Sequence, residues 1–193
     1  MDIEKLVIAS NNSHKIQEIK AVLGDKFREI VGMKDAGLDM DIVEDGDSFY
    51  ANALIKAKAV SEALNLPALA DDSGLVVPGL SGEPGIYSAR YAGEPCSDER
   101  NNAKLLRKME SLQDRSAKFV TVMVLIFPDG RTVSAEGAAE GRILTEPDGD
   151  NGFGYDPLFY STELGKTFAK ATMAEKNSVS HRSRALQALL KQI

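Results

Sequence analysis

Two adjacent carboxylates in residues 71–74 are the most suggestive chemical feature of this sequence. Asp71-Asp72-Ser73-Gly74 lies between two apolar runs, residues 66–70 and 75–77, and the first run predicts a buried strand. A carboxylate beside a protein core loses hydration and needs a cation, a hydrogen-bond donor or water. A hard divalent cation such as Mg²⁺ suits such oxygens. The alternative is a polar turn in which either aspartate caps a backbone group.

A second acidic segment precedes a helix that carries lysines. Residues 37–47 contain the run Glu44-Asp45-Gly46-Asp47, which predicts a loop. Apolar residues at helical spacing then predict a helix that begins near Ser48. Lys56 and Lys58 lie on this helix, and solvated side chains are the ordinary alternative for both.

Residues 10–15, SNNSHK, are a candidate anion site. They separate a predicted strand at residues 5–9 from a predicted helix that begins at His14 and ends before Gly24. Free backbone N–H groups at a helix N-terminus attract anions, and Lys15 adds positive charge. The spacing is not that of a Walker A loop. The alternative is an ordinary capped helix start.

A glycine-rich segment near the C-terminus could hold a flat ligand. Residues 148–157, DGDNGFGYDP, are too rich in glycine for a helix or a regular strand. Glycines on both sides of Phe153 would let a ligand approach the backbone, and Phe153 and Tyr155 offer ring faces for a base. Asp156 precedes a proline and is held extended. The alternative is an aromatic-anchored turn whose rings belong to the core.

A third polar group lies at the start of the last predicted helix. Lys176 and Ser180-His181-Arg182 are donors that could pair with carbonyl or phosphate oxygens. His181 is by default a surface or capping residue. With only two histidines and no base beside Ser73, a nucleophilic serine is a poor fit. Cys96 has no activating neighbour in the sequence.

The elements that must position these residues alternate between strands and helices. A long loop or mobile flap is expected at residues 79–93, and a turn at residues 128–130 predicts a hairpin. Connection of strands by helices and by a hairpin predicts an α/β fold with a mixed sheet flanked by helices. The other predicted elements are strands at residues 27–31, 119–127, 132–136 and 139–144, and a helix at residues 97–112.

Composition excludes several classes of protein. The net charge of −6 argues against a nucleic-acid partner. A single cysteine excludes an internal disulfide and fits a cytoplasmic location. Residues 1–5 are acidic and offer no signal or membrane-spanning segment. No linker interrupts the chain, so residues 1–193 are expected to form a single domain, with two lobes.

Taken in order, these segments resemble the inosine triphosphatase family, also called the Ham1 family. Ser10 stands where the family usually has threonine, and a hydroxyl is retained. The segment that precedes GFGYDP departs from the family pattern by carrying Asp148 and Asp150, which affects local loop detail. The matching segments are SNNSHK at 10–15, FYANALIKA at 49–57, DDSGL at 71–75, GEPGIYSARYAG at 82–93, GFGYDP at 152–157 and EKNSVSHR at 175–182.

The resemblance implies both a fold and an activity. The family fold is similar to an elongated mixed sheet with helices in two lobes and a central substrate cleft. The family hydrolyses non-standard purine nucleotides, namely ITP, dITP and XTP, to the monophosphate and pyrophosphate. This activity removes deaminated purines from the nucleotide pool. The family uses Mg²⁺ and is commonly a homodimer.

The resemblance also implies roles for individual residues. Asp72 would activate water and, with Glu44, bind the metal, while Asp71 would orient its neighbours. Arg90, in the flap, would close on the ligand. The residues implied in substrate binding are Ser10, Asn11, Asn12, Ser13, His14, Lys15 and Lys56 on the triphosphate side, Ser73, and Phe153, Gly154, Tyr155, Asp156, Lys176, His181 and Arg182 around the base.

Base selection has a physical explanation, which we state as a hypothesis. Hypoxanthine and xanthine carry an acceptor oxygen at position six, where adenine carries an amino group. Donors such as His181 and Arg182 would be left unpaired facing adenine, and such mismatches are strongly rejected. Comparable turnover of ATP and ITP would contradict this hypothesis.

Two other functions remain open at this point. A metal-dependent phosphatase acting on sugar phosphates or nucleoside monophosphates would release free phosphate. A nucleotide sensor would bind ITP without turnover.

Overall fold

One mixed seven-stranded sheet runs through the computed structural model, which describes residues 4–193. The first strand pairs in parallel with the second and with the third, whereas the last three strands pair antiparallel. The prediction of a mixed sheet with flanking helices is therefore confirmed. The strands are β1 (Lys5–Ile8), β2 (Glu29–Gly32), β3 (Ala68–Val76), β4 (Ser116–Ile126), β5 (Thr132–Ile143), β6 (Phe159–Ser161) and β7 (Lys166–Thr167), in the spatial order β2-β1-β3-β4-β5-β6-β7.

The predicted helices form, and side-chain caps explain where several begin. Asn12, Ser48 and Ser97 each accept backbone N–H groups at the start of a helix. The helix predicted over residues 97–112 ends earlier because the chain turns at Met109. The helices are α1 (Ser13–Leu23), α2 (Phe49–Leu64), α3 (Asp98–Lys108), α4 (Met173–Val179) and α5 (His181–Leu190).

One alternative and one local prediction were wrong. The polar turn that was the alternative for residues 71–74 does not form, since these residues lie inside β3, where Asp71 and Asp72 have polar partners that permit an extended, buried strand. The strands predicted at residues 132–136 and 139–144 are one strand, β5. Glycine weakens a strand in isolation, but Gly141 lets β6 approach: a Cβ there would lie 2.4 Å from the Tyr160 carbonyl oxygen.

Backbone contacts divide the chain into two compact units, each with its own core. The first unit comprises Met1–Asp72, Thr121–Gly137 and Arg182–Ile193, and the second comprises Ser73–Val120 and Ala138–His181. In the first unit, residues such as Ile19, Leu69 and Leu186 are buried. In the second, Phe119, Phe159 and Phe168 pack together with ring centroids 4.6 to 5.9 Å apart.

The helices of the described residues can be compared with the dimensions of a membrane. No helix within residues 4–193 has the length and apolar character needed to cross a membrane. Of the N-terminal segment considered above, residues 1–3 lie outside the described residues.

Candidate active site

The two adjacent aspartates of β3 have different partners. Successive side chains of a strand leave opposite faces, so the Asp71 and Asp72 side chains project to opposite sides of β3. Asp71 Oδ2 lies 3.0 Å from Lys15 Nζ and 3.2 Å from Arg182 Nη2. Asp72 Oδ2 instead accepts a 3.1 Å hydrogen bond from Asn52 Nδ2. The two carboxylates therefore have different surroundings, and the separate roles predicted for them stay predictions.

Asp72, Glu44, Lys56 and Asn52 make up what we call the carboxylate–lysine cluster. Lys56 Nζ lies 2.8 Å from Glu44 Oε2 and 3.9 Å from Asp72 Oδ1. Lys56 and Asn52 are four residues apart on α2 and therefore share one face of that helix. Lys56 is 8% exposed, so its predicted alternative as an ordinary solvated lysine is wrong.

Asn52 joins the acidic loop to the catalytic candidate. Its Oδ1 accepts a 2.9 Å hydrogen bond from the Gly46 backbone N–H, while its Nδ2 donates to Asp72. A Cβ at position 46 would lie 2.8 Å from Asn52 Oδ1 and 2.7 Å from the Ala51 Cβ, so only glycine permits this approach. The loop that carries Glu44 is thereby fixed beside Asp72.

Burial shifts the proton affinities of two groups in this unit. Desolvation raises the pKa of the Asp72 carboxyl, and the nearby Glu44 carboxylate adds to the shift. Lys56, Lys15 and the Asn52 hydrogen bond oppose it without cancelling it. Burial lowers the pKa of the Lys15 ammonium in spite of its contact with Asp71. An added cation would favour the Asp72 carboxylate, and an added anion would favour the Lys15 ammonium.

A buried ion network supports the same strand from the other face. Arg182, at the start of α5, donates from Nη1 to Glu18 on α1 and from Nη2 to Asp71. Although burial opposes it, the two carboxylates hold the pKa of Arg182 above its usual value. Arg182 is 2% exposed and Glu18 is 5% exposed. The network holds Asp71 and Lys15 in place, and the predicted role of Arg182 at the base edge stays a prediction.

The N-terminal turn has the geometry of a capped helix start. Asn12 Oδ1 accepts the backbone N–H groups of His14 and Lys15 at 3.0 and 3.2 Å, and Ser10 Oγ accepts that of Asn12. The side chains of Asn11, Ser13 and His14 are exposed. Of this segment, Lys15 is the residue that the structure brings to the buried acids.

A second group of predicted residues comes together in the other unit. In residues 152–156, which we call the glycine loop, Asp156 Oδ2 accepts from Lys176 Nζ at 2.6 Å and from the Phe153 N–H at 3.0 Å. Lys176 Nζ also lies 4.9 Å from the centroid of the Phe153 ring. Gly152 has a φ of +81°, and a Cβ there would lie 2.2 Å from Asp156 Oδ2. The loop thus holds a buried carboxylate, an ammonium and an aromatic face in one place.

Four further residues that the resemblance implied in substrate binding are Tyr155, His181, Arg90 and Ser73. Tyr155 is buried in the core of the second unit, as the alternative interpretation of the loop expected, and its hydroxyl donates to the Ser88 carbonyl. His181 is buried and stacks on Phe119 at 4.8 Å. Arg90 is exposed, 5.4 Å from the Tyr87 ring centroid. Ser73 is a half-buried residue of β3.

The arrangement can be compared with known proteins. Residues 6–192 match the model of the Ham1 family. The chain belongs to the Ham1 family. The resemblance seen in the motifs is therefore confirmed over nearly the whole sequence.

Relatives and solved structures of this family cover almost all of the chain. It is 46% identical over 195 residues to a dITP/XTP pyrophosphatase of Clostridium perfringens, covering 97% of this chain and 96% of the relative. It is 49% identical to a dITP/XTP pyrophosphatase of Thermus thermophilus, covering 96% and 90%. The solved Staphylococcus aureus Ham1 protein is similar with a TM-score of 0.86 at 45% identity, covering 97% and 98% of the two chains.

Sequence reasoning missed two residues that organise the site of this Ham1 family chain. Asn52 lies in the segment 49–57, and the available signal was an asparagine between alanines on an otherwise apolar helix. The structure buries this side chain. Glu18 lies on the apolar face of α1, where an acid needs a buried cation. Neither signal predicts the partner, because Asp72 is 20 residues from Asn52 and Arg182 is 164 residues from Glu18.

Proposed function

We propose that this chain hydrolyses dITP, ITP and XTP to the nucleoside monophosphate and pyrophosphate. The observation that carries the proposal is the carboxylate–lysine cluster, in which a buried Asp72 lies beside Glu44 and Lys56. Curated relatives at 46% and 49% identity are named dITP/XTP pyrophosphatases. The products place this chain among the enzymes that remove altered purines from the nucleotide pool.

The residues of the cluster fit a magnesium ion. Glu44 and Asp72 both have an oxygen within 3.9 Å of the same Lys56 nitrogen, and their mutual repulsion helps to raise the pKa of Asp72. Within residues 4–193 no group of three or more metal-ligating side chains occurs. Mg²⁺ typically uses one or two carboxylates and completes its shell with water and substrate phosphates. When bound, the ion supplies positive charge to the phosphate oxygens.

The side chains of the first unit supply the rest of the reaction. Asp72 accepts a proton from the attacking water and so acts as the general base. The water oxygen forms a bond to the α-phosphorus, and the bond from that phosphorus to the bridging oxygen breaks. Pyrophosphate leaves with the electron pair. Lys15 and Lys56 stabilise the charge that develops on the phosphate oxygens.

The glycine loop and Lys176 bind the base. The Lys176 ammonium is a hydrogen-bond donor, oriented by Asp156 and lying over the Phe153 ring. It suits the oxygen at position six of hypoxanthine or xanthine, whereas the amino group of adenine offers it no acceptor. A Lys176 N–H that faces this amino group gains no hydrogen bond from it, which explains rejection of adenine nucleotides. His181 and Arg182 retain their predicted place at the base edge as part of this proposal.

A screen of pyrophosphate release tests the function. The substrates are dITP, ITP, XTP, dATP and dGTP, each with Mg²⁺, with Mn²⁺ or with a chelator. We expect a preference for dITP over dATP in kcat/KM of about 10²-fold or more and loss of turnover with the chelator. Free phosphate as the product would support the phosphatase alternative. ITP binding without Mg²⁺-dependent turnover would support the sensor.

Removing the Asn52 amide should change the pH dependence of the reaction. The Asn52 hydrogen bond lowers the pKa of Asp72, so Asn52→Ala raises it further. Because the carboxylate is the active form, the acidic limb of the kcat/KM profile should move to higher pH. At neutral pH we expect a loss of about tenfold, typical of groups that orient a catalytic residue. An unchanged acidic limb in a folded Asn52→Ala variant would contradict the role of Asp72 as base.

Assembly, domain organisation and location complete the proposal. We infer a homodimer from the resemblance to the family, and light scattering on the purified protein tests it. The chain acts as a single domain, and a single cooperative unfolding transition is the corresponding expectation. A cytoplasmic location accords with the single, exposed Cys96.

A further inference from the structure

One face of α3 holds the backbone of the glycine loop. Asp98 and Asn102 are four residues apart and therefore adjacent on that helix. Asp98 Oδ2 accepts a 2.6 Å hydrogen bond from the Gly154 N–H, and Asn102 Nδ2 donates a 3.0 Å hydrogen bond to the Gly154 carbonyl. Both backbone polar groups of Gly154 are thus bound to side chains of a single helix turn. We call this pair of contacts the Gly154 clamp.

The clamp acts where the chain would otherwise be conformationally free. Gly154 has a φ of +62°, and apart from its chain neighbours no atom of residues 4–193 lies within 4 Å of a Cβ built there, so side-chain packing does not fix this residue. Glycine loses the most conformational freedom when it is ordered. Asn102 Oδ1 is buried and lacks a hydrogen-bond partner among the described residues. The Asn102 side chain thus makes its hydrogen bond to Gly154 through its amide nitrogen, and an apolar side chain at this position would not supply that bond.

The same helix anchors a second segment. Asn101, 2% exposed, accepts from the Ala92 N–H at 2.7 Å and donates to the Ala89 carbonyl at 2.9 Å. The Tyr155 hydroxyl joins the glycine loop to this segment by donating to the Ser88 carbonyl at 2.9 Å. The segment predicted as a mobile flap is thus tied to α3 and to the glycine loop. One helix sets the backbone of both segments.

We propose that Asp98 and Asn102 are positioning residues for base selection. Gly154 lies between Phe153 and Asp156, the residues that present an aromatic face and orient Lys176. Selection between a six-oxo and a six-amino purine needs these groups held within a fraction of an ångström. The inference rests on the proposed function, since it concerns the purine base of that substrate. Asp98 and Asn102 act through the loop and do not touch the reacting phosphate.

Asp98→Ala and a matched control test the proposal. Glu99→Ala removes another exposed acid of the same helix turn and so reproduces any effect on charge or on the helix dipole. We measure kcat and KM for dITP and dATP, and the hydrogen exchange of the Gly154 amide. Asp98→Ala should raise the KM for dITP and lower the dITP/dATP selectivity by about tenfold each, with kcat changed less. It should also speed exchange at Gly154. Glu99→Ala should leave the kinetic constants for both substrates and the exchange rate near those of the wild type.

Asp98→Asn separates the hydrogen bond from the charge. An amide oxygen can still accept the Gly154 N–H, so this variant should retain the selectivity and the slow exchange. Equal losses in Asp98→Ala and Glu99→Ala, or a loss in Asp98→Asn as large as in Asp98→Ala, would overturn the positioning role. Unchanged selectivity in Asp98→Ala, with a wild type that is selective, would overturn the positioning role and leave the proposed function standing. A wild type that does not distinguish dITP from dATP would overturn the proposed function and, with it, the role in base selection.

Discussion

Replacing Asp72 with asparagine should lower kcat for dITP by about 10³-fold or more. Asparagine keeps the size of the side chain and can still contact Asn52, but it cannot accept a proton from water and is a weaker metal ligand. Pyrophosphate release under saturating dITP and Mg²⁺ measures the effect. Asp47→Asn is the matched control, because it neutralises an exposed acid in the loop that carries Glu44. Near-normal turnover of Asp72→Asn would contradict the assigned role.

The same substitution should not destabilise the protein at neutral pH. Burial raises the pKa of Asp72 above its unfolded value, so between the two values the folded state binds more protons. The free energy of unfolding therefore falls as pH rises through that window. Asparagine removes this penalty, and Tm at pH 7 should equal or exceed that of the wild type. The difference should vanish below the unfolded pKa. A lower Tm at pH 7 would mean that Asp72 is mainly structural.

Replacing Arg182 with methionine should lower the free energy of unfolding by about 3–5 kcal/mol. Methionine has a similar length but leaves Glu18 without its guanidinium and Asp71 with Lys15 as its remaining cation partner in the network. An uncompensated buried charge is costly, whereas loss of an exposed charge is not. Urea unfolding followed by circular dichroism measures the change.

Two further variants define the origin of that loss. Lys191→Met removes a positive charge from the exposed C-terminus, and we expect a change within about 0.5 kcal/mol. The double variant Glu18→Leu with Arg182→Met removes both members of the ion pair and should recover part of the loss. A loss below about 1 kcal/mol in Arg182→Met, or simple additivity in the double variant, would contradict a coupled buried network.

The sequence predicted the chemical types at the site better than it predicted their partners. It identified Asp72, Glu44 and Lys56, and the structure brings all three together. For Arg182 the resemblance implied a place near the base, while the structure also pairs it with Asp71 across 111 residues. Asp98 escaped notice because an exposed acid in the first turn of a helix is ordinary there. Its contact with Gly154 is a property of the fold.

Local physics explains why the order of most elements could be predicted from residue patterns, while the family was identified by the resemblance of the motifs. Three kinds of feature depend only on neighbours within a few residues: helical periodicity, caps such as Asn12 and Ser48, and the short motifs. They can therefore be recognised in the sequence itself. Which face of β3 each aspartate uses, and which cation meets it, depends on strand phase and on long-range packing. Burial also shifts the pKa of Asp72 and Lys15 only once the surrounding chain has excluded water. Tertiary packing therefore makes one of two adjacent acids a candidate base and the other a member of an ion network.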